Sequence, residues 1–212
     1  MCPVCRVIAD VRTTRVIRRQ NPPAFNDYTR YKPYLRLDFR WQCCFCGVRE
    51  RKWGGSSHFA VEHFRPKKQF PELETTYSNL YYACDMCNSY KSSRWPNDGE
   101  IAVDRRFFDP CTDLATKHFS VDNSGNLQHH SNCGFYTIKS IRLNREVSVK
   151  LRRKRFELIR EYRNGLKSLK DLSNLYLSCS DFKSQETLVR AILVVEANLS
   201  MWKPEFQFAP FG

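Results

Sequence analysis

Residues 59–96 read FAVEHFRPKKQFPELETTYSNLYYACDMCNSYKSSRWP, and this stretch carries the strongest structural signals of the chain. Phe59–Phe64 is a short apolar and aromatic run that ends near a charged pair, which favours a β-strand. Two prolines then break the chain, so we expect a loop that leads to a second strand at residues 80–83. Residues 84–91 contain no Gly, Pro or β-branched residue, which permits a short helix. The stretch therefore predicts the order strand, loop, strand, helix.

The polar residues of this stretch stand in a fixed order. They are Glu62-His63, then Asn79-Leu80, then Cys84-x-x-Cys87-Asn88-x-x-Lys91. This order resembles the HNH nuclease motif, which is carried on a ββα-metal fold. The local sequence, with Phe64-Arg65-Pro66-Lys67 after the histidine, is similar to that of the HNH nuclease of the bacterial anti-phage system called Septu. It is also similar to effectors of some retrons. The similarity runs from about Pro22 to about Arg153.

The resemblance implies an α+β fold with a ββα-metal HNH nuclease core, a zinc knuckle of four cysteines and a mostly helical C-terminal extension. We divide the chain accordingly into a basic N-terminal extension at 1–20, a zinc-bound HNH nuclease domain at 21–137 and a helical extension at 138–212. Residues 6–40 alternate Arg with apolar residues, and we expect an irregular arm there with one short strand at most. Residues 107–127 predict turns and short strands that include a hairpin.

Four cysteines of the chain form two Cys-x-x-Cys pairs that fit a metal site. They are Cys43, Cys46, Cys84 and Cys87. Four soft thiolates make a closed tetrahedral zinc site, which is structural rather than catalytic. Gly47, directly after the first pair, permits the tight turn of a zinc knuckle, whereas Cys44 lies outside the pair spacing. The alternative is a set of buried free cysteines.

The chain has ten cysteines in all, a number that would also suit a secreted disulfide scaffold. The Cys-x-x-Cys pairs and the absence of an export signal in the sequence favour reduced thiols in a cytoplasmic protein instead. A third pair, Cys2 and Cys5, could form a second zinc site with Cys111 and Cys133. We favour a disordered tail with unpaired thiols, because nothing else in residues 1–20 supports a fold.

Phosphodiester hydrolysis needs a base for water, a cation on the phosphate and a residue that holds the base. The resemblance gives His63 the role of base, and the ordinary imidazole pKa of about 6.5 suits that role. It makes Glu62 and Asn88 ligands of a divalent cation, for which Mg²⁺ fits two oxygen ligands plus water. It gives Asn79 the task of bracing the loop beside the base. Alternation along a strand would send Glu62 and His63 to opposite faces, so both serve one site only if the strand end is twisted or bulged.

Positive charge flanks the motif. The chain carries a formal net charge of +13, and residues 1–52 hold 12 Lys/Arg against 4 Asp/Glu, while residues 139–170 hold 12 against 3. This distribution fits a nucleic-acid backbone held on both sides of a reaction centre, although a solvated basic surface with no partner explains it equally well. Near the motif the candidate phosphate contacts are Arg65, Lys67 and Lys91, and the alternative for each is a solvated side chain.

From Asn144 the apolar residues recur at helical spacing, which predicts a helix with Asn144 as its N-cap. The opposite face carries basic residues that we expect to contact nucleic acid: Arg152, Arg153, Arg160, Arg163 and Lys167. A second helix is predicted at 181–201. Its Leu188–Val195 stretch is apolar nearly all round, and phenylalanines follow at 206, 208 and 211. These apolar segments either close the protein's own core or cover a partner.

These features predict a metal-dependent HNH endonuclease that hydrolyses nucleic-acid phosphodiester bonds in bacterial anti-phage defence. The resemblance implies a partner ATPase that restrains or triggers the enzyme. DNA and RNA, such as a tRNA, are both open as substrates, since no base-reading element is recognisable. The alternative function is a zinc-stabilised nucleic-acid-binding module without catalysis, which would have no need of His63 and Asn88 in motif order. No apolar run approaches the length of a membrane-spanning helix, so we expect no membrane span.

Overall fold

The computed structural model describes residues 15–206, with side chains described up to Met201. The third Cys-x-x-Cys pair and the tail beyond residue 206 lie outside the described residues. The chain divides into two compact units, which within the described range are 15–152 and 153–206. The predicted domain limits at residues 20 and 137 stay predictions. In the part of the chain that the structure describes, no helix is both long enough and apolar enough to cross a membrane.

The motif stretch folds in the predicted order. Strand β1, Phe59–His63, pairs antiparallel with strand β2, Leu80–Cys84, and the chain continues directly into helix α2, Asp85–Lys91. The helix ends where Ser92 adopts a positive φ of 50° and donates its backbone N–H to the carbonyl of Asn88. This β-hairpin followed by a short helix is the framework that positions the candidate site.

Helix α1, Lys32–Asp38, precedes the motif and corrects the prediction of an irregular arm with one strand at most. Pro33 stands in its first turn, where the missing N–H costs no hydrogen bond. Leu35 and Phe39 are almost fully buried, and the Phe39 ring lies 5.4 Å from the ring of Tyr81 in β2. The helix has only seven residues, about two turns. The alternation of Arg with apolar residues therefore masks the helical periodicity of its apolar residues in the sequence.

The segment after the motif adds short helices and a second hairpin. In chain order these elements are α3 (Asp98–Ala102), α4 (Ala115–His118), β3 (Phe119–Val121), β4 (Leu127–His129) and α5 (Asn132–Ile141). Strands β3 and β4 pair antiparallel, and Gly125 at the tip has a φ of +85°, so the predicted hairpin is confirmed. Helix α5 was not predicted. It packs so closely on α4 that a Cβ at Gly134 would lie 2.3 Å from the carbonyl oxygen of His118.

Two long helices complete the described chain, α6 (Glu146–Ser178) and α7 (Phe182–Phe206). Gly165 lies within α6 and allows α7 to approach closely, because a Cβ there would lie 2.9 Å from Leu199 Cδ2. Leu199 is buried, whereas Leu193 and Val194 are 58% and 61% exposed. Packing between the two helices therefore leaves part of the apolar stretch of α7 uncovered within the described residues.

Two predictions for the start of α6 are wrong. Asn144 is not the N-cap, because the helix begins at Glu146 and the Asn144 amide exchanges hydrogen bonds of 2.7 and 2.9 Å with the backbone of Leu127. Arg152 is not free to contact nucleic acid, because its partly buried guanidinium donates to the carbonyls of Gly125 at 2.6 Å and Leu143 at 2.9 Å. Arg153 and Arg160 of the same predicted face are exposed.

Candidate active site and metal centre

The two predicted Cys-x-x-Cys pairs meet at one point. The candidate ligand sulfurs of Cys43, Cys46, Cys84 and Cys87 all lie within 4.8 Å of one another. The distance from Cys46 Sγ to Cys84 Sγ is 3.8 Å. Four sulfurs bound to zinc at about 2.3 Å in a tetrahedron are separated by about 3.8 Å, so the donor set and its spacing fit zinc.

The fold explains how these pairs converge. Cys84 ends β2 and Cys87 lies in the first turn of α2, while Gly47 with a φ of 71° turns the first pair toward them. Burial by itself would raise the pKa of Cys43, but hydrogen bonds with the neighbouring thiols lower it well below its ordinary value. The same contacts raise the pKa of Cys84, and burial together with these contacts raises the pKa of Cys87, so Cys43 is the first thiol of the cluster to become the thiolate that metal binding requires. Cys44 is buried beside the cluster and is not one of its members.

His63 ends β1 and is held in one orientation. It is 9% exposed, and its Nε2 lies 2.9 Å from the backbone carbonyl oxygen of Glu74. A carbonyl only accepts hydrogen bonds, so Nε2 carries the proton and Nδ1 of the neutral ring is the basic nitrogen. Burial lowers the pKa of His63, an effect that the bond to Glu74 opposes and that nearby Lys67 reinforces. A lowered pKa favours the neutral imidazole, which is the form that a general base requires.

Asn79 fastens the loop that carries the Glu74 carbonyl. Its Oδ1 accepts the backbone N–H of Arg65 at 2.8 Å, and its Nδ2 donates to the carbonyls of Arg65 at 3.0 Å and Leu73 at 3.3 Å. The two ends of the loop are thus tied together directly beside His63. These contacts hold the loop in place, and a role of Asn79 in catalysis stays a prediction.

Lys91 is a core residue and not a phosphate contact, which corrects that candidate assignment. Its side chain is fully buried, and Nζ donates to Glu62 Oε1 at 2.6 Å and to the carbonyl of His63 at 2.8 Å. Burial raises the pKa of Glu62 to about 7, although the charge of Lys91 opposes that shift. The buried pair ties α2 to the end of β1. Because Lys91 already holds one oxygen of Glu62, cation binding by this carboxylate stays a prediction.

Asn88 lies on α2 one turn before Lys91 and is half-buried. Within the described part of the chain its side-chain amide makes no hydrogen bond, so its oxygen is available to a ligand. Lys91 bonds the carbonyl of His63, and residues three apart on a helix share a face. The helix thus presents Asn88 on the side that meets the end of β1.

Tyr28 and Glu74 belong to this site, and the sequence analysis missed both. The Tyr28 ring meets the His63 imidazole edge-to-face at a centroid distance of 4.7 Å. Lys67 Nζ lies 4.5 Å from the Tyr28 ring and 2.8 Å from Glu74 Oε1. Tyr28 precedes the motif by more than thirty residues. Only the 3₁₀ turn Tyr28–Tyr31, which leads into α1, brings it to β1.

A second group of candidate ligands, Asp113, His118 and Cys133, is satisfied without a metal. Arg106 holds both carboxylate oxygens of Asp113 at 2.6 and 3.1 Å, and His118 Nδ1 lies 2.6 Å from Ser131 Oγ. Burial raises the pKa of the Cys133 thiol to about 12. A guanidinium at the centre and a protonated thiol argue against a cation here.

Comparison with known proteins agrees with this geometry. Residues 43–94 match the HNH endonuclease family, and this part of the chain is an HNH endonuclease domain. The chain is 26% identical over 140 residues to the Septu protein PtuA of Bacillus mycoides (strain KBAB4), covering 56% of this chain and 20% of that protein. It is 28% identical over 96 residues to the Septu protein PtuB of Bacillus thuringiensis, covering 43% of this chain and 34% of that protein. The chain thus spans a fifth and a third of the length of these two relatives.

Proposed function

Taking residues 43–94 as an HNH endonuclease domain, we propose that the protein is a divalent-cation-dependent endonuclease that hydrolyses nucleic-acid phosphodiester bonds in bacterial anti-phage defence. The observation that carries this proposal is the hydrogen bond from His63 Nε2–H to the Glu74 carbonyl, because it leaves Nδ1 as a fixed basic nitrogen. Similarity to two Septu proteins supports the defence setting.

In the proposed reaction His63 Nδ1 accepts a proton from water. The hydroxide that forms bonds to phosphorus, and a P–O bond of the backbone breaks as its oxygen leaves. Asn79 keeps the loop closed, so the Glu74 carbonyl stabilises the imidazolium that results. A divalent cation, Mg²⁺ in our proposal, stabilises the charge on the phosphate when it is bound. Asn88 would hold it through its amide oxygen, with Glu62 as the second proposed ligand.

The proposed zinc site has a structural task. Its four thiolates join the knuckle at Cys43 and Cys46 to the junction of β2 and α2, which is the junction that places Asn88. A closed four-sulfur site leaves no position for substrate, so zinc takes no part in the cleavage step.

The nature of the substrate is tested by direct competition. Exposed Arg153 and Arg160 support contact with a phosphate backbone, but they favour neither DNA nor RNA. Purified protein in Mg²⁺ is incubated with an equimolar mixture of plasmid DNA and total tRNA, and both are followed on one gel. We expect cleavage of at least one substrate. Binding to both with cleavage of neither would favour the alternative, a binding module without catalysis.

Tyr28→Ala is expected to lower kcat by about tenfold to a hundredfold, because a base displaced by even an ångström loses its alignment with the attacking water. Tyr28→Phe keeps the ring that packs against His63, so its kcat should stay within about twofold of the wild type. The measurement is kcat and KM on the better substrate, with KM nearly unchanged in both variants.

The matched control is Tyr176→Ala, since Tyr176 lies on α6 and is 36% exposed. Equal kcat for Tyr28→Ala and Tyr176→Ala would contradict a positioning role for Tyr28. A Phe variant as slow as the Ala variant would place the effect in the hydroxyl instead of the ring.

We also propose that a partner ATPase restrains this nuclease, as the resemblance to the Septu nuclease implies. A nuclease of low specificity would damage its own cell, so some restraint is needed. The candidate docking surface is the uncovered part of α7, where Leu193, Val194 and Met201 are 58%, 61% and 70% exposed.

Co-expression with a candidate partner ATPase tests the docking surface. The double change Leu193→Asp and Val194→Asp should abolish co-purification while the melting temperature stays within a few degrees, because both side chains are already in water. The control is Glu186→Lys with Arg190→Glu, an exposed i,i+4 pair on the same helix. Undiminished co-purification of the Asp variant with the ATPase would contradict the proposed docking surface.

A further inference from the structure

Two arginines lie close to the cysteine cluster, and neither forms a salt bridge with a carboxylate within the described residues, although Asp122 acts on Arg152 at longer range. Arg145 Nη2 is 3.5 Å from Cys87 Sγ. Arg152 is anchored nearby by the carbonyls of Gly125 and Leu143 and by Asn144 Oδ1, at 2.6, 2.9 and 3.0 Å. By contrast, three other partly buried arginines, Arg19, Arg36 and Arg106, each pair with an acidic side chain, whereas Arg18 donates to three backbone carbonyls. Arg145 and Arg152 therefore lack the salt bridge that balances the charge of Arg19, Arg36 and Arg106.

Burial of a cation without a counter-ion is costly. The Nε of Arg145 is buried and has no hydrogen-bond partner in the described part of the chain, and its side chain faces sulfur and the Tyr90 ring at 5.8 Å. If the cysteines were neutral thiols, the charge of Arg145 would remain uncompensated, and that of Arg152 would be opposed only at longer range by Asp122. Four thiolates around Zn²⁺ carry a net charge of two negative units, which these two guanidiniums would balance.

We propose that Arg145 is a counter-ion of the zinc-bound thiolates and donates an N–H hydrogen bond to Cys87, with Arg152 as the second balancing cation. This goes beyond the proposed nuclease function and depends only on occupancy of the zinc site. Charge-assisted hydrogen bonds are stronger than neutral ones, and a thiolate with such a donor is harder to protonate and to displace from metal.

The same contact connects the zinc centre to α6. The Arg145 carbonyl accepts the backbone N–H groups of Ser148 at 2.9 Å and Val149 at 3.1 Å, so Arg145 forms the N-terminal end of that helix. Zinc bound by the motif cysteines would thereby hold the first turn of α6 in place, more than fifty residues beyond Cys87 in the chain.

The test is the rate at which the zinc-loaded full-length protein transfers its metal to an excess of a chromogenic chelator. Arg145→Met should release zinc at least about tenfold faster than the wild type, since it removes a hydrogen bond to a charged group. The matched control is Arg142→Met, because Arg142 stacks on the same Tyr90 ring at 5.0 Å but is exposed and has no sulfur contact within the described residues. We expect the control to release zinc within about twofold of the wild-type rate.

The second variant is Arg145→Lys, which keeps the charge but loses the planar guanidinium. Its rate of zinc release should fall between that of the wild type and that of Arg145→Met. If Arg145→Met cannot be recovered folded, the comparison is made between Arg145→Lys and Arg142→Lys. Equal release rates for the position 145 and position 142 variants would overturn the proposal. A wild-type protein that purifies folded without zinc would overturn it as well, whatever its nuclease activity.

Discussion

His63→Ala is expected to lower the rate of nucleic-acid cleavage by about 10² to 10⁴-fold, the range that general acid–base catalysis contributes. The side chain lost is the one whose Nδ1 is left basic by the bond to the Glu74 carbonyl. The proposed ligand Asn88 and the buried pair of Glu62 and Lys91 remain, so binding of nucleic acid should stay within about threefold of the wild type. Single-turnover cleavage and a separate filter-binding assay measure the two quantities.

The matched control for this change is His129→Ala. His129 is exposed on β4, outside the motif, and its loss should leave cleavage near the wild-type rate. Added imidazole, which supplies a diffusible base, should restore part of the activity of His63→Ala. Cleavage by His63→Ala at the rate of the control would remove His63 from the mechanism.

Cys84→Ser is expected to abolish zinc binding and with it the folded state of the nuclease domain. Structural zinc contributes about 10 to 16 kcal/mol of apparent binding free energy in small zinc domains, whereas a whole domain is stable by only about 5 to 15 kcal/mol. Cys84 also joins β2 to α2, so its displacement separates the helix that carries Asn88 from the hairpin that carries His63. Zinc content by elemental analysis and the thermal unfolding curve are the measurements.

Cys44→Ser is the control for this prediction, because Cys44 is buried as deeply as Cys84 but lies outside the cluster of four. It should retain one zinc per chain and lose only about 1 to 2 kcal/mol of stability from the buried hydroxyl. A soluble, folded Cys84→Ser protein with unchanged zinc content would refute the assignment of the four cysteines as the zinc ligands.

The motif elements could be predicted because their signals are local. Prolines and a short apolar run mark β1 and the loop, and the spacing of Cys84 and Cys87 matches the start of a short helix. A structural zinc site needs four ligands, and the two Cys-x-x-Cys pairs together supply four thiolates. Their convergence could therefore be predicted without knowledge of the fold of the residues between them. The α+β fold with a helical C-terminal part is confirmed on these grounds.

The contacts that complete the site depend on tertiary packing and carry no local signal. Lys91 and Arg152 were predicted at the surface, since long cationic side chains are seldom buried without a partner. Lys91 has such a partner in Glu62, and Arg152 has three oxygen acceptors, none of which its neighbours in sequence indicate. Tyr28 reaches His63 through the 3₁₀ turn Tyr28–Tyr31 that leads into α1, and no local pattern in the sequence predicts either element.

In the proposed mechanism the HNH domain cleaves nucleic acid with a divalent cation that is distinct from the structural zinc. The most direct test uses zinc-loaded protein in metal-free buffer and measures cleavage of the preferred substrate as Mg²⁺ is added. We expect no cleavage before Mg²⁺ is added and a saturable rise with its concentration, while the zinc content stays at one per chain. Full cleavage by the zinc-loaded protein before any Mg²⁺ is added, or none at any Mg²⁺ concentration, would contradict it.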